Sequence, residues 1–123
     1  MKSILLVEDD PFVVDIYTKK LTEAGFSVEL AQDREETLKK ISEKKPDLLL
    51  LDIVLPNIEG WDLLREIKED LAFKDLKVAI LSNLGQKADV EKGLKLGATR
   101  YFIKAHYTPT QVVEEIKKML ASW

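Results

Sequence analysis

Short runs of apolar residues alternate five times with amphipathic segments along the chain. The runs lie at about 4–7, 27–31, 48–51, 78–81 and 101–103. Apolar residues at consecutive positions are typical of strands that are buried on both faces, as in a parallel sheet covered by helices. We therefore expect an α/β protein with a five-stranded parallel sheet. The most apolar run, at 48–51, should be its central strand, and the alternating run at 27–31 should lie near an edge.

The segment after the first run has the pattern of a capped helix. Asp10 can cap this helix, Pro11 can be its first residue, and Gly25 can end it. Apolar residues recur after Pro11 at helical spacing. The expected buried stripe is Val13, Ile16, Tyr17, Leu21 and Ala24.

The other helices are indicated by similar signals. Asp33 can cap the second helix, and Thr108 before a proline can open the last one. A loop through Pro56 and Gly60 precedes the third helix. The fourth helix contains Gly93, which destabilises a helix by about 1 kcal/mol relative to alanine. We expect this helix, at about 86–96, to be the weakest of the five.

Length and composition limit the class of protein. A chain of 123 residues fits one domain, so residues 1–123 should form a single core. Hydrophobic residues at 46% and charged residues at 33% are typical of a globular protein. The formal charge of −3 gives no electrostatic reason to expect binding to nucleic acid or anionic lipid. Because the chain has no cysteine, disulfides and thiolate catalysis are excluded.

The apolar runs are too short for membrane insertion. A bilayer-spanning helix needs roughly 20 apolar residues. The N-terminal run at 4–7 is also too short for a signal peptide. We therefore expect a cytoplasmic protein that does not bind membranes.

Polar side chains follow four of the expected strands directly. Glu8 and Asp9 follow the first, Asp52 the third, Ser82 the fourth and Lys104 the fifth. Right-handed crossovers place all carboxyl ends of a parallel sheet at one edge, where ligands bind. Two carboxylates 4 Å apart would repel each other by about 4 kcal/mol at an effective dielectric constant near 20. A divalent cation or a proton is expected to relieve this repulsion.

This set of side chains suits phosphoryl transfer. Mg²⁺ prefers oxygen ligands, needs only a few carboxylates and keeps bound water. A lysine supplies a mobile positive charge for phosphoryl oxygens, and a serine supplies a hydrogen-bond donor. A carboxylate beside the metal can act as the nucleophile and become an aspartyl phosphate.

The residues around these positions resemble the motifs of the receiver domain of two-component response regulators. Glu8-Asp9 is similar to the acidic pair of that family, and residues 51–56 with Gly60 are similar to its phosphoacceptor strand and loop. Ser82 lies at the position of its hydroxyl residue, and residues 101–104 are similar to the segment that carries its aromatic residue and lysine. The resemblance covers the whole chain. It implies a doubly wound, flavodoxin-like fold with strand order 2-1-3-4-5 and five helices.

The resemblance also implies a metal site and a phosphoacceptor. Asp52 would accept the phosphoryl group. Asp9, Asp52 and the carbonyl oxygen of Val54 would bind Mg²⁺ directly, and Glu8 would act mainly through metal-bound water.

Further roles follow from the same resemblance. Ser82 and Lys104 would contact the phosphoryl group, and Tyr101 with Ser82 would form a switch. A histidine kinase or a histidine phosphotransfer protein would donate the phosphoryl group, and a downstream protein or a fused output domain would respond to it. Phe12 and Val14 lie off the apolar stripe and next to the acids, so we expect them to be partly exposed and available for docking to the kinase.

The sequence departs from the family pattern at two places. Ala105 follows Lys104 where the family usually has a proline with a cis peptide bond. A cis bond before alanine costs about 2.5 to 4 kcal/mol, so either the bond is trans and Lys104 points elsewhere, or the peptide is strained. Asn83 replaces a smaller residue and could narrow the approach to Asp52.

Val54 and Leu84 lie at the positions that flank the path of a hydrolytic water in the family. Neither side chain can orient a water molecule by hydrogen bonding.

Two other classes of function remain open. A phosphatase of the haloacid-dehalogenase kind also uses an aspartyl nucleophile with Mg²⁺, but it typically has a second acid where this chain has Val54. A receiver-like interaction module without phosphate turnover is the other alternative. The retained acids, with Ser82 and Lys104, argue against that alternative.

Overall fold

The main sheet in the described part of the chain has five strands, all parallel to their neighbours. The computed structural model describes residues 1–55 and 58–121, with the backbone alone at Ile58. Within these residues the strands are β1 (Ser3–Val7), β2 (Ser27–Ala31), β3 (Leu48–Leu51), β4 (Lys77–Ser82) and β5 (Arg100–Ile103). Their spatial order is β2-β1-β3-β4-β5. The prediction of a doubly wound sheet with order 2-1-3-4-5 is confirmed.

Within the described residues, five α-helices connect and cover the strands. They are α1 (Pro11–Glu23), α2 (Arg34–Glu43), α3 (Gly60–Glu69), α4 (Lys87–Lys95) and α5 (Pro109–Met119). Short 3₁₀ turns at Leu71–Phe73 and Lys104–His106 follow α3 and β5. In the described part of the chain, no helix is long and apolar enough to cross a membrane.

The predicted caps form at three helices. The side chain of Asp10 accepts a hydrogen bond from a backbone N–H in the first turn of α1, at 2.9 Å. Asp33 does the same for α2 at 2.8 Å, and Thr108 for α5 at 3.1 Å. Each cap satisfies a backbone donor that a helix N-terminus leaves free. Gly25, just after α1, has φ of 96°, a conformation that side chains disfavour.

Two apolar layers enclose the sheet. Helices α2, α3 and α4 pack on one face, and α1 and α5 pack on the other. Strand β3 lies at the centre with every residue fully buried, as predicted. Because both faces are covered, the polar side chains that follow the strands meet only at the carboxyl edge of the sheet.

Two predictions about local structure are wrong. Ile16 was expected in the buried stripe of α1, but 43% of it is exposed, because its position lies at the flank of the stripe. The expected loop before α3 contains a small antiparallel hairpin, Val54–Leu55 with Ile58–Glu59, and Gly60 is the first residue of α3. Pro56, also expected in that loop, lies outside the described residues.

Candidate functional site

The backbone hydrogen bonds of the sheet continue one residue past two strand ends and so position two of the acids. The N–H of Glu8 donates to the carbonyl of Ala31, on β2, at 3.3 Å. The N–H of Asp52 donates to the carbonyl of Val7, on β1, at 3.1 Å. Both residues therefore lie on a rigid edge of the sheet rather than on a free loop.

Lys104 joins the two acids. Its Nζ donates to Oε2 of Glu8 and to Oδ2 of Asp52, each at 3.1 Å. Glu8 is only 1% exposed and Asp52 only 6%, whereas Lys104 is half-buried. Because both oxygens lie 3.1 Å from the same nitrogen, they are no more than twice that distance apart.

The remaining carboxylate oxygens accept bonds from nearby backbone. Oε1 of Glu8 accepts from the N–H groups of Asp9 and Asp10, both at 3.2 Å. Oδ1 of Asp52 accepts from the N–H of Val54 at 3.0 Å. These contacts fix the orientation of both carboxylates, since each side chain is held through both of its oxygens.

The ionisation of this cluster is shifted by burial and by the neighbouring charges. Burial, together with the Asp52 charge, raises the pKa of Glu8 above 4.5, although Lys104 acts in the opposite direction. Burial alone would lower the pKa of Lys104, but the charges of Asp52 and Glu8 outweigh it and raise the pKa above 10.5. The expectation that only a divalent cation or a proton could relieve the acid repulsion was therefore incomplete, because the Lys104 ammonium group lies between the two acids.

Asp9 and Val54, two of the expected metal ligands, are more exposed than Glu8 and Asp52. Asp9 is half-buried, and across residues 1–55 and 58–121 no hydrogen bond reaches its carboxylate. The side chain of Val54 is 57% exposed at the rim of the site. In the same described residues, no three His, Cys, Asp or Glu side chains are arranged to hold a metal ion. Carboxylate and carbonyl oxygens are nevertheless the ligands that Mg²⁺ prefers, so the donor chemistry fits although the three acids do not converge.

The presence of Ala105 after Lys104 left open whether the peptide bond between them is cis or trans. No cis peptide bond occurs in the described parts of the chain, so the Lys104–Ala105 bond is trans. Lys104 nevertheless reaches Asp52 from the 3₁₀ turn that follows β5. A cis peptide bond is therefore not needed to bring this lysine to the site.

Ser82 and Tyr101 are linked through the backbone of Leu84. Ser82 is fully buried, and its Oγ accepts a hydrogen bond from the N–H of Leu84 at 3.2 Å. The hydroxyl of Tyr101 donates to the carbonyl of Leu84 at 2.7 Å. This carbonyl was missed in the sequence, because a backbone group carries no residue signal. In this contact the Ser82 hydroxyl is only an acceptor, so its O–H group remains able to donate to another partner.

Phe12 and Val14 differ in exposure. Phe12 is 80% exposed, whereas Val14 is half-buried in a groove between α1 and the edge strand β2. Ile16, one helical turn after Phe12, is also exposed and extends the apolar surface. The expectation of partial exposure is met at both residues, but the apolar surface next to Phe12 is formed by Ile16.

Comparison with known proteins places this chain in a family. Residues 4–117 match the family model of the response regulator receiver domain. The chain therefore belongs to the response regulator receiver domain family. Receiver domains are signalling proteins rather than classical enzymes, and they generally bind Mg²⁺ at the phosphorylation site.

Individual relatives agree with this assignment. The chain is 32% identical over 119 residues to the alkaline phosphatase synthesis transcriptional regulatory protein PhoP of Bacillus subtilis, covering 97% of this chain and 48% of PhoP. It is 39% identical over 101 residues to the transcriptional regulatory protein CusR of Escherichia coli K12, covering 82% of this chain and 44% of CusR. The chain thus spans about half the length of the curated relatives it matches.

A solved structure shows the same fold over nearly its full length. A CheY-like response regulator receiver domain protein from Methanospirillum hungatei superimposes with a TM-score of 0.87 and 31% sequence identity. The alignment covers 98% of this chain and 94% of that one.

Proposed function

We propose that this chain is a phosphorylation-dependent switch in two-component signalling and that Asp52 accepts the phosphoryl group. The observation that carries the proposal is the position of Asp52, which follows the central strand and pairs with the half-buried Lys104 at 3.1 Å. A carboxylate in this position is a nucleophile with a cation beside it. We further propose that residues 1–123 form one receiver domain that acts in the cytoplasm.

The proposed reaction transfers one phosphoryl group. An Asp52 carboxylate oxygen attacks phosphorus, and the P–N bond of a phosphohistidine on the donor protein breaks. The electron pair of that bond stays on the imidazole, which takes up a proton. Because Nζ of Lys104 lies 3.1 Å from Oδ2 of Asp52, it would stabilise negative charge that develops on the phosphoryl oxygens, and such charge stabilisation is usually a large part of catalysis. Ser82 would add a hydrogen bond to the transferred group through its O–H group.

Mg²⁺ is the expected metal. Asp9, Asp52 and the carbonyl oxygen of Val54 would bind it directly, and Glu8 would bind through water. A bound Mg²⁺ would supply charge neutralisation for the phosphoryl oxygens. Hard oxygen donors at one sheet edge support this choice. The half-buried Asp9, whose carboxylate accepts no bond from the described residues, is the acid most readily available to the ion.

A histidine kinase or a histidine phosphotransfer protein is the proposed donor, and Phe12 with Val14 is the proposed contact surface. A downstream protein or a fused output domain would read the phosphorylated state. The charge of −3 supports a protein partner rather than nucleic acid for this domain.

Labelling with a small phosphoryl donor tests the proposal. After incubation with acetyl phosphate and Mg²⁺, the wild-type protein should gain about 80 Da by intact-mass spectrometry. Asp52→Asn should gain nothing. Asp10→Asn is a matched control, because it removes an exposed carboxylate outside the site and leaves a good helix cap. Labelling of Asp52→Asn at the wild-type rate would overturn the assignment.

The same experiment separates the two alternative functions. An interaction module without phosphate chemistry would not be labelled at all. A phosphatase of the haloacid-dehalogenase kind would hydrolyse acetyl phosphate continuously, with many molecules released per protein. A receiver should instead accumulate one phosphoryl group per chain.

A further inference from the structure

Gly93 is a glycine in the middle of α4, where the residue type is unfavourable. It is buried and does not end the helix. Glycine destabilises a helix interior relative to alanine by about fivefold in the folding equilibrium. A buried glycine with no need for a positive φ suggests that another group occupies the space of its missing side chain.

The ring of Tyr101 occupies much of that space. A Cβ atom built on Gly93 would lie 2.9 Å from Cδ2 and 3.1 Å from Cε2 of Tyr101, and 2.7 Å from Cδ1 of Ile80. The Ile80 atom is the end of a flexible side chain and can shift. The tyrosine ring is rigid, so it can avoid the Cβ only by moving as a whole.

Tyr101 holds the segment that carries Ser82. The residue is 8% exposed, and its hydroxyl donates to the carbonyl of Leu84. The N–H of the same Leu84 donates to Oγ of Ser82. Among the described residues, Tyr101 is the only residue of β5 whose side chain hydrogen-bonds to the backbone after Ser82. A shift of its ring would therefore break that link.

We propose that Gly93 is a positioning residue: the lack of a side chain there holds Tyr101 inward, and Tyr101 in turn fixes the Ser82–Leu84 segment at the edge of the site. The residue acts through Tyr101 and touches no reacting group. The proposal depends on the proposed function only for the role of Ser82. In this proposal, the packing of α4 against Tyr101 determines the position of a backbone segment beside the phosphoacceptor site.

The test follows two reporters in the protein without any phosphoryl donor. Fluorotyrosine incorporation gives three ¹⁹F NMR signals, one for each tyrosine, and Tyr→Phe variants assign them. Selective ¹⁵N-glycine labelling adds the amide of Gly85, which follows the Leu84 carbonyl and reports on its hydrogen bond. In Gly93→Ala, the Tyr101 signal should change from protected to solvent-exposed. The Gly85 amide should shift in the same direction as in Tyr101→Phe.

Controls keep the inference testable. Lys95→Ala, on the exposed part of α4, should leave both signals unchanged. If Gly93→Ala does not fold, Gly93→Ala with Tyr101→Ala should be as stable as Tyr101→Ala alone, since the obstructing ring is then absent. Wild-type signals in a folded Gly93→Ala variant, or a double variant that is clearly less stable than Tyr101→Ala alone, would overturn the inference. Because no phosphoryl donor is present, failure of Asp52 labelling would leave this result untouched.

Discussion

The Lys104 bridge gives a quantitative prediction. Lys104→Met keeps the length and the apolar stem of the side chain but removes the ammonium group between Glu8 and Asp52. The two facing oxygens lie no more than twice 3.1 Å apart. At that separation and an effective dielectric constant near 20, two negative charges repel by at least about 2.7 kcal/mol. A loss of folding stability of this magnitude lowers the melting temperature of a domain of this size by roughly 10 °C.

The loss should depend on pH. Without the ammonium group, the pKa of Glu8 rises further above 4.5, so the folded state holds a proton that the unfolded state releases. Stability is then retained at or below pH 4.5 and is lost as the pH rises through the raised pKa of Glu8. The destabilisation of Lys104→Met relative to wild type should therefore be small near pH 4.5 and approach its full value near pH 8.

Urea unfolding at several pH values, with and without Mg²⁺, measures this effect. Mg²⁺ should stabilise the variant more than the wild type, because binding to the folded state adds stability and the ion replaces the missing positive charge. Lys39→Met, at an exposed position of α2, is the control for the loss of a surface lysine. A difference between Lys104→Met and wild type that is independent of both pH and Mg²⁺ would refute this account of the bridge.

Three further predictions concern docking, phosphate loss and the start of α3. Alanine at both Phe12 and Val14 should slow phosphotransfer from the cognate kinase roughly tenfold but leave labelling by acetyl phosphate intact; equal loss of both rates would exclude docking there. Leu84→Glu or Val54→Asn should speed loss of phosphate from the purified phosphoprotein by up to about 10²-fold, and slower or unchanged loss in both would show that these side chains do not control the water. Gly60→Ala should destabilise the protein by about 3 kcal/mol in urea unfolding, because a Cβ there would overlap the backbone after Asp52; wild-type stability would contradict that packing.

The sheet and the helix starts could be predicted because their signals are local. The four leucines at 48–51 are consecutive, and this marks a strand with two buried faces. Asp10, Asp33 and Thr108 bond to donors only a few residues away. Such patterns need no knowledge of distant contacts, so the chain order of elements follows from them.

Other features could not be predicted, because they depend on contacts between distant residues. Glu8 and Lys104 were expected at the same edge of the sheet, but their direct contact across 96 positions depends on side-chain geometry that is visible only once the sheet is assembled. The tight approach of Tyr101 to Gly93 likewise requires α4 to lie on β5. Ile16 was misassigned because a residue at the flank of a helical stripe fits the periodicity whether it is buried or exposed. The two paired strands at 54–55 and 58–59 have two residues each and are too short to produce a pattern.

The most direct test of the central claim is chemical trapping of the phosphorylated residue. Borohydride reduces an acyl phosphate to an alcohol, so a phosphorylated aspartate becomes homoserine. After labelling with acetyl phosphate and Mg²⁺, peptide mass mapping of the reduced protein should find homoserine at Asp52 and at no other acid. Homoserine at Asp9 instead, or phosphorylated protein that yields no homoserine, would contradict the assignment of Asp52 as the phosphoacceptor.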